Sequence, residues 1–335
     1  MRRLKAEWEP HKTILIAFPH EETDWARDGD LQKAWTPFVR IAQAVAYSQN
    51  VTILCRDKTA ISDLFCSTTN MNFVTMAYDD TWTRDYGPLS VDEEGAKKLL
   101  DFTFDGWGGK FDAALDNRVN RKLQRRGYFG TTPLESIDFV LEGGSIETDG
   151  KGTILTTSRC LCNPNRNGGL GKEEVEAKLR EYLGAERILW LDHGYLAGDD
   201  TDSHIDTLAR FVASDAIAYV RCDDPADEHY DELKKMEEEL HALRRADGTP
   251  YRLVPLPMAP ARYDEEGHRL PATYANFLIA NQALLYPTYG DLKLDRSVGA
   301  IFRELFPERE IIPIPSSILI TQGGSLHCST MQIDW

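Results

Sequence analysis

The residue that most suggests chemistry is Cys328, which follows a glycine pair at Gly323 and Gly324. Glycines let the backbone approach a ligand closely, and a nucleophilic thiol must be reached by both a substrate and a base. Taken alone, the pattern leaves open a buried, inert cysteine. His327 directly precedes the thiol, but neighbours on an extended segment point to opposite faces. We therefore expect the base to come from elsewhere.

A second group of chemically active side chains surrounds His204. Asp206 lies two residues further on, so on an extended segment both side chains leave the same face and form an acid/base unit. A loop with Asp199, Asp200 and Asp202 comes just before them. Two alternatives are open here: the cluster could hold a divalent ion, or the histidine could be structural and hydrogen-bonded to a carboxylate.

Two more carboxylates lie beside glycine bends. Asp85 lies in an aspartate- and aromatic-rich segment, 78–88, that ends in Gly-Pro, and Glu142 directly precedes Gly-Gly. A guanidinium is planar and cationic, so two carboxylates such as Asp85 and Asp206 can each accept a pair of its hydrogen bonds. Its central carbon is a poor electrophile, which favours a thiolate nucleophile and a histidine that moves protons. The residue set therefore indicates guanidinium chemistry.

The overall composition of the chain limits the kinds of partner that it is expected to bind. The net charge of −16 disfavours nucleic acid and suits a small cationic molecule. The six cysteines are scattered, which is typical of reduced thiols, and Cys160 and Cys162 lack a second pair at zinc spacing. No apolar run is long enough for a membrane span. We expect a cytoplasmic protein with no membrane partner, and the sequence leaves open whether it forms a homo-oligomer.

Strands and helices alternate along the whole chain. The apolar patterns predict strands over residues 13–18, 51–55, 72–77, 98–105, 137–141, 153–157, 187–191, 216–222, 251–256, 274–280, 283–286 and 311–314, and helices over 31–45, 59–65, 114–126, 173–183, 230–245 and 295–306. Residues 203–211 are also expected to be strand-like. No linker divides the chain, so residues 1–335 are predicted to form one α/β domain of about five rounds of strands and a helix.

Several dispersed motifs carry a resemblance to a known family. They are Glu7-Trp-Glu-Pro10, Trp82-x-Arg84-Asp85-x-Gly87-Pro88, Trp107-Gly-Gly-Lys110, Glu142-Gly-Gly144 with Asp149-Gly150, Asn163-x-Asn165-Arg166-Asn167, Asp199-Asp-Thr-Asp-Ser-His204-x-Asp206 with Arg210-Phe211, and Gly323-Gly-x-x-His-Cys328. Together, and in this order, they resemble the agmatine deiminase family, which is also labelled bacterial peptidylarginine deiminase-like. The resemblance covers essentially the whole chain.

The resemblance implies a fold, a reaction and a set of roles. The fold would be the pentein fold, a five-bladed α/β propeller around a pseudo-fivefold axis with the site at its centre. Cys328 would be the nucleophile, His204 the general acid/base, Asp85 and Asp206 the guanidinium clamps, and Glu142 a carboxylate beside the histidine and the substrate. The reaction would convert agmatine to N-carbamoylputrescine and ammonia, with no metal or organic cofactor.

The contacts with the rest of the substrate are less determined. Trp82 or Trp107 could cover the methylene chain, the Asp199 to Asp202 loop could attract the terminal amine, and the glycines before Cys328 would let the backbone approach the ligand. Glu147 differs from the histidine that is frequent at its place in the family, which leaves the substrate open. The alternatives are a deiminase of peptidyl-arginine or free arginine, an amidinotransferase, a metal-dependent hydrolase, and a polyamine-binding protein without activity.

Overall fold

The computed structural model describes residues 2–27 and 29–335. Its strands are β1 Arg2–Leu4, β2 Thr13–Ala17, β3 Asn50–Cys55, β4 Met71–Thr75, β5 Leu89–Glu93, β6 Ala96–Thr103, β7 Leu134–Val140, β8 Ile146–Thr148, β9 Thr153–Thr157, β10 Arg187–Leu191, β11 Ala209–Ala213, β12 Ala216–Arg221, β13 Arg252–Pro257, β14 Leu278–Ile279, β15 Ala283–Thr288, β16 Glu310–Pro315 and β17 Met331–Ile333.

The helices lie between these strands. They are α1 Asp24–Arg27, α2 Leu31–Ala46, α3 Lys58–Ser62, α4 Thr83–Tyr86, α5 Gly106–Gly109, α6 Val119–Arg125, α7 Ser158–Leu161, α8 Lys172–Leu183, α9 Tyr230–Ala242 and α10 Leu292–Leu305. Short 3₁₀ turns are Asp116–Arg118, Gly143–Ser145, Ile205–Thr207 and Leu319–Gln322.

The described strands form five small sheets that share one pairing pattern. In each sheet an antiparallel pair is followed by a parallel neighbour; for example, β8 pairs antiparallel with β9, which pairs parallel with β10. A parallel connection needs a crossover, and helices supply it: α8 runs between β9 and β10, α9 between β12 and β13, and α10 between β15 and β16. The predicted α/β class is therefore confirmed.

One sheet joins the two ends of the chain. Its order is β17-β2-β3-β4, and Met331 of β17 pairs antiparallel with Leu15 of β2. The segment with Cys328 comes immediately before β17, so this pairing fixes where the thiol lies. The apolar side chains on both sides are buried, and Ile14, Met331 and Ile333 belong to one continuous core cluster. Burial of such side chains is the main favourable contribution to folding.

Several boundary predictions were wrong. Residues 203–211 are not one strand: Ile205–Thr207 is a 3₁₀ turn and only Ala209–Ala213 is extended. The helix predicted over 114–126 is divided between a 3₁₀ turn and α6, and the strand predicted over 274–280 shrinks to β14. In these three cases, polar groups inside the segment bond to other parts of the chain, a contact that periodicity cannot reveal.

Several short elements were absent from the sequence prediction, and β1, β5, β17 and α4 are examples. Strands β1, β5 and β17 are short or partly polar, and α4 is a single turn inside the predicted loop 78–88. Sheet pairing and burial, not local propensity, hold them in place. Separately, no helix in the described part of the chain has both the length and the apolar character needed to cross a bilayer.

The joined ends give a stability prediction. Ile333 in β17 is 1% exposed, so Ile333→Ala should lower the free energy of unfolding by about 2–5 kcal/mol. Leu292→Ala is the control, because that side chain is 70% exposed and its loss should change stability by less than about 0.5 kcal/mol. Urea unfolding of both variants measures the difference. Equal stabilities would show that the β17 pairing does not hold the C-terminal segment.

Candidate active site

Cys328 lies in a turn between the Leu319–Gln322 3₁₀ helix and β17, and its side chain is 4% exposed. Its Sγ lies 3.3 Å from Nδ2 of Asn276 and 3.8 Å from Oδ2 of Asp206. Its carbonyl oxygen accepts a hydrogen bond of 3.1 Å from the backbone N–H of Arg84. The thiol is thus held by both its side chain and its backbone, beside a carboxylate.

A cavity of about 430 Å³ leads to this thiol. Aromatic rings of Trp82, Trp107 and Phe111 line it, together with Asp85 and Cys328 at the inner end. Gly323 and Gly324 also line it, and a Cβ on Gly324 would lie 2.4 Å from the Trp82 ring. The glycine pair is therefore needed so that the backbone can pass the tryptophan, which is a steric reason beyond flexibility.

Asp85 is buried on the single-turn helix α4, between two donors. Its Oδ2 accepts a hydrogen bond of 3.0 Å from Nε1 of Trp107, and its Oδ1 accepts one of 2.9 Å from the backbone N–H of Gly144. Burial raises the pKa of Asp85 well above its usual range, and the negative charges of Asp206 and Glu142 raise it further. Trp107 reaches this carboxylate from a left-handed backbone conformation, with φ 58°.

Gly144 marks the point where the polar side chains converge. A Cβ there would lie 2.7 Å from Nδ1 of His204, 2.8 Å from Oδ1 of Asp85 and 3.1 Å from Oδ2 of Asp206. Any side chain at this position would displace them. The Gly-Gly pair after Glu142 thus brings three distant segments together by leaving room.

His204 and Asp206 reach this point from a 3₁₀ turn and not from a strand. Nδ1 of His204 lies 3.7 Å from Oδ1 of Asp85, and neither ring nitrogen has a hydrogen-bond partner among the described residues. Burial lowers the pKa of His204 to about 3, so the imidazole is neutral. The two residues before it, Asp202 and Ser203, have φ of 65° and 67°, a strained approach typical of functional sites.

Asp206 is buried and ionised. Its Oδ2 accepts hydrogen bonds of 2.7 Å from Nδ1 of His327 and 3.2 Å from Nδ2 of Asn276, whereas its Oδ1 has no partner among the described residues. Burial would raise the pKa of Asp206, but the hydrogen bond from His327 and the positive charge of Arg210 hold it below its usual value. The two predicted clamp carboxylates therefore have pKa values shifted in opposite directions.

Glu142 is fully buried, and only one of its two carboxylate oxygens has a hydrogen-bond partner among the described residues. Its Oε1 accepts a hydrogen bond of 2.7 Å from Nε of Arg166, and its Oε2 has no partner among the described residues. Arg166 also donates to Oδ2 of Asp202, at 2.6 Å. Burial raises the pKa of Glu142, and the arginine opposes that rise. Arg166 belongs to one of the motifs shared with the family, but the sequence did not suggest a role for it.

The acidic loop is arranged differently from the prediction. Asp199 accepts hydrogen bonds from the backbone N–H groups of Thr201 and Ser203, and Asp202 pairs with Arg166 and Lys110. Neither residue is among those that line the cavity, whereas Asp200 is. Asp199 thus holds the strained turn before His204. Groupings of described residues with metal-binding geometry do not include Asp199, Asp200 or Asp202.

Sequence reasoning missed two neighbours of the thiol. Asn276 contacts both Cys328 and Asp206, and nothing in the sequence singled it out from a segment predicted as strand. His327 was set aside on the premise of an extended segment. In the structure residues 326–329 form a turn, so His327 and Cys328 both reach the same oxygen of Asp206, Oδ2.

The unpartnered atoms show what this site can bind. Asp206 Oδ1 and Glu142 Oε2 are buried acceptors, His204 adds one donor and one acceptor nitrogen, and a buried polar atom without a partner costs about 1–3 kcal/mol. A flat cation with several N–H donors would supply the missing partners. Fold and site together define an α/β protein with a cysteine-centred site for such a cation.

Comparison with known proteins places the chain in a family. Residues 3–333 match the family described as Porphyromonas-type peptidyl-arginine deiminase, and the chain belongs to that family. The agmatine deiminase of Stutzerimonas stutzeri (strain A1501) is 34% identical, over 98% of this chain and 94% of the other.

Solved structures agree with this placement. A C. jejuni agmatine deiminase, solved as a cysteine-to-serine variant with substrate bound, is 38% identical and superposes with a TM-score of 0.93, over 100% of this chain and 97% of the other. A Porphyromonas gingivalis protein provisionally named an arginine deiminase is 47% identical, with a TM-score of 0.92, over 99% of this chain and 98% of the other.

The electrostatics of the site predict the resting state of the thiol. Burial raises the pKa of Cys328 well above its ordinary value, and the charges of Asp206 and Asp85 raise it further, so at neutral pH the thiol should be protonated. The difference in 240 nm absorbance between the wild type and Cys328→Ala, followed from pH 6 upwards, measures the thiolate. A full thiolate signal at neutral pH would contradict the prediction.

Proposed function

We propose that this protein hydrolyses the guanidinium group of agmatine to N-carbamoylputrescine and ammonia. The observation that carries the proposal is the pair of unpartnered buried carboxylate oxygens, on Asp206 and Glu142, in a site whose thiol, Cys328, lines a cavity of about 430 Å³. A planar guanidinium offers several donors in one plane and can supply partners to both oxygens. The names of the relatives in the comparison support the same reaction.

In the proposed mechanism, Cys328 is the nucleophile and His204 carries the protons. The thiol gives its proton to the neutral imidazole, and the sulfur bonds to the guanidinium carbon. The imidazolium then protonates the departing nitrogen, which leaves as ammonia and yields a thiouronium bound to sulfur. Water gives a proton to His204 as it attacks this carbon. The carbon–sulfur bond breaks, the ureido product leaves, and the thiol is protonated again.

In this proposal the three buried carboxylates bind the substrate cation. Asp206, ionised through His327, would accept guanidinium N–H groups with its free oxygen, and Glu142 would do so with its own free oxygen. Asp85, whose pKa is raised in the empty site, would lose its proton when the cation enters, because an opposite charge favours the ionised form. The cation would also lower the pKa of Cys328. Substrate binding and activation of the thiol are thus coupled.

The whole chain serves as one catalytic unit in this proposal. The active groups come from four separate places in the chain: the turn before β17, α4, the Gly143–Ser145 turn and the Ile205–Thr207 turn. These segments lie next to strands of different sheets. We propose that the five sheets are the blades of a pentein propeller with these groups at its centre. The repeated pairing pattern of an antiparallel pair plus a parallel strand supports that arrangement.

A second candidate substrate is arginine, free or in a peptide. The 47% identity to a protein provisionally named an arginine deiminase and the family description favour it. The cavity opposes it, because its lining includes Asp24, Asp200 and Asp264, whose negative charges would repel an α-carboxylate. Arg269 also lines the cavity, but its guanidinium is paired with Asp227 at 2.7 Å.

The reaction is tested by its products. Purified protein with agmatine should release ammonia and an equal amount of ureido product, and kcat/KM for agmatine should exceed that for arginine or an arginyl peptide by more than about 100-fold. Cys328→Ser should show no measurable turnover while still binding agmatine. A new guanidine in the presence of an amine acceptor would indicate group transfer instead. Binding without ammonia from the wild type would indicate a polyamine-binding protein.

The amine end of the substrate gives a separate prediction. Since Asp200 lines the cavity and Asp202 is paired elsewhere, Asp200→Asn should raise KM for agmatine about tenfold, which is the size expected for one hydrogen bond to a charged group. The control is Asp223→Asn, whose side chain is 71% exposed. Steady-state assays on agmatine and arginine measure both. An unchanged ratio of the two kcat/KM values in Asp200→Asn would place the amine elsewhere.

A further inference from the structure

A buried chain of charged residues leads away from Asp206 through His327. Nε2 of His327 lies 3.0 Å from Nη2 of Arg210 and 2.9 Å from Oε2 of Glu7. Arg210 is fully buried; it donates from Nη2 to Glu7 and from Nε to Glu147. In the proposed mechanism Glu7, Glu147 and Arg210 have no role, and His327 enters only as a hydrogen-bond donor to Asp206.

The hydrogen bonds of this chain fix the proton on His327. Oδ2 of the ionised Asp206 can only accept, so Nδ1 of His327, which faces it at 2.7 Å, must carry a proton. Nε2 lies between a donor, Arg210, and an acceptor, Glu7. Burial lowers the pKa of His327, and the charges of Arg210 and Arg84 lower it further, which keeps the ring neutral. Arg210 is itself held in place by two carboxylates, those of Glu7 and Glu147.

We propose that His327 is a positioning residue for the guanidinium clamp: through its Nδ1–H it donates a hydrogen bond to Asp206 Oδ2 and leaves Oδ1 directed at the substrate. The inference rests on the proposed function, because it assigns Asp206 to the substrate cation. It gives the N-terminal Glu7 a part in the active site, although Glu7 is remote from the thiol in sequence.

The consequence concerns the charge of Asp206. A buried carboxylate without this donor would become easier to protonate, because burial disfavours its ionised form. The charged and titratable groups that face Asp206 are His327, His204, Arg210, Arg84, Asp85 and Cys328. The pKa of Asp206 in the folded protein lies below the ordinary aspartate value. Activity that needs the charged carboxylate is therefore present above this lowered pKa and is lost as the pH falls through it. Without the His327 donor, the loss should begin at higher pH.

Two nearly isosteric variants separate this role from a structural one. In His327→Asn, the amide nitrogen can take the place of Nδ1 and donate to Asp206. In His327→Gln, the amide reaches the place of Nε2 and cannot. The acid limb of the kcat/KM profile should stay near its wild-type position in His327→Asn and move up by about one pH unit in His327→Gln and His327→Ala. At pH values below both limbs, kcat/KM of the latter two should be about tenfold lower than that of the wild type.

A further variant controls for the loss of any buried histidine. His229 is 1% exposed and its Nδ1 lies 2.7 Å from Oδ1 of Asp227, so His229→Gln also removes a buried histidine–aspartate pair. It should lower the melting temperature without moving the acid limb. If the acid limbs of His327→Asn and His327→Gln lie at the same pH, whether or not that pH differs from the wild-type value, His327 does not position the clamp and the inference is overturned.

A measurement without turnover keeps the two proposals separate. The side-chain carboxyl of ¹³C-labelled Asp206, assigned by comparison with Asp206→Asn, should titrate below the ordinary aspartate value in the wild type and above it in His327→Gln. An ordinary or raised pKa in the wild type would overturn the inference even if no variant folds. If agmatine is not hydrolysed but Asp206 titrates as expected, the proposed function fails and the role of His327 stands.

Discussion

The structure depends on keeping negative charge next to a buried thiol. Asp85, Asp206 and Glu142 are buried, and Asp206 and Glu142 each have one oxygen without a partner among the described residues. The protein provides limited compensation: one arginine for Glu142, one histidine for Asp206, and an indole and a backbone N–H for Asp85. The remaining deficit favours the entry of a cation and keeps the thiol protonated until it arrives.

The compensating groups form two separate systems. On one side of Asp206, Arg210 is held by Glu7 and Glu147 and reaches the site through His327. On the other side, Arg166 joins Glu142 to Asp202. Neither arginine lies free near the cavity, where its positive charge would repel a guanidinium. The arginines therefore support the carboxylates without competing with the substrate.

Steric room is the second constraint on the site. Gly144 and Gly324 are placed where a Cβ would collide with catalytic or aromatic side chains, and Gly143 lies where one would meet the backbone of Arg84. Each of these glycines lies against an element from a distant part of the chain. The glycine-rich motifs are thus packing requirements between segments, in addition to local turns. This is why they occur beside the polar residues that they allow to meet.

The sequence by itself determined the α/β class, most of the longer strands and helices, and the identity of the polar residues that converge. Apolar periodicity and the chemistry of a guanidinium were sufficient for these, because both depend on residue type and local spacing. The sequence could not determine which neighbours those residues would have. Asp199 and Asp202 looked like ligands for an amine, yet one holds a strained turn and the other holds an arginine; His327 looked irrelevant, yet it contacts Asp206. Only the tertiary structure decided this, because hydrogen-bond partners separated by a hundred residues or more are brought together by the packing of the sheets, and side-chain direction follows from turns whose geometry long-range contacts impose.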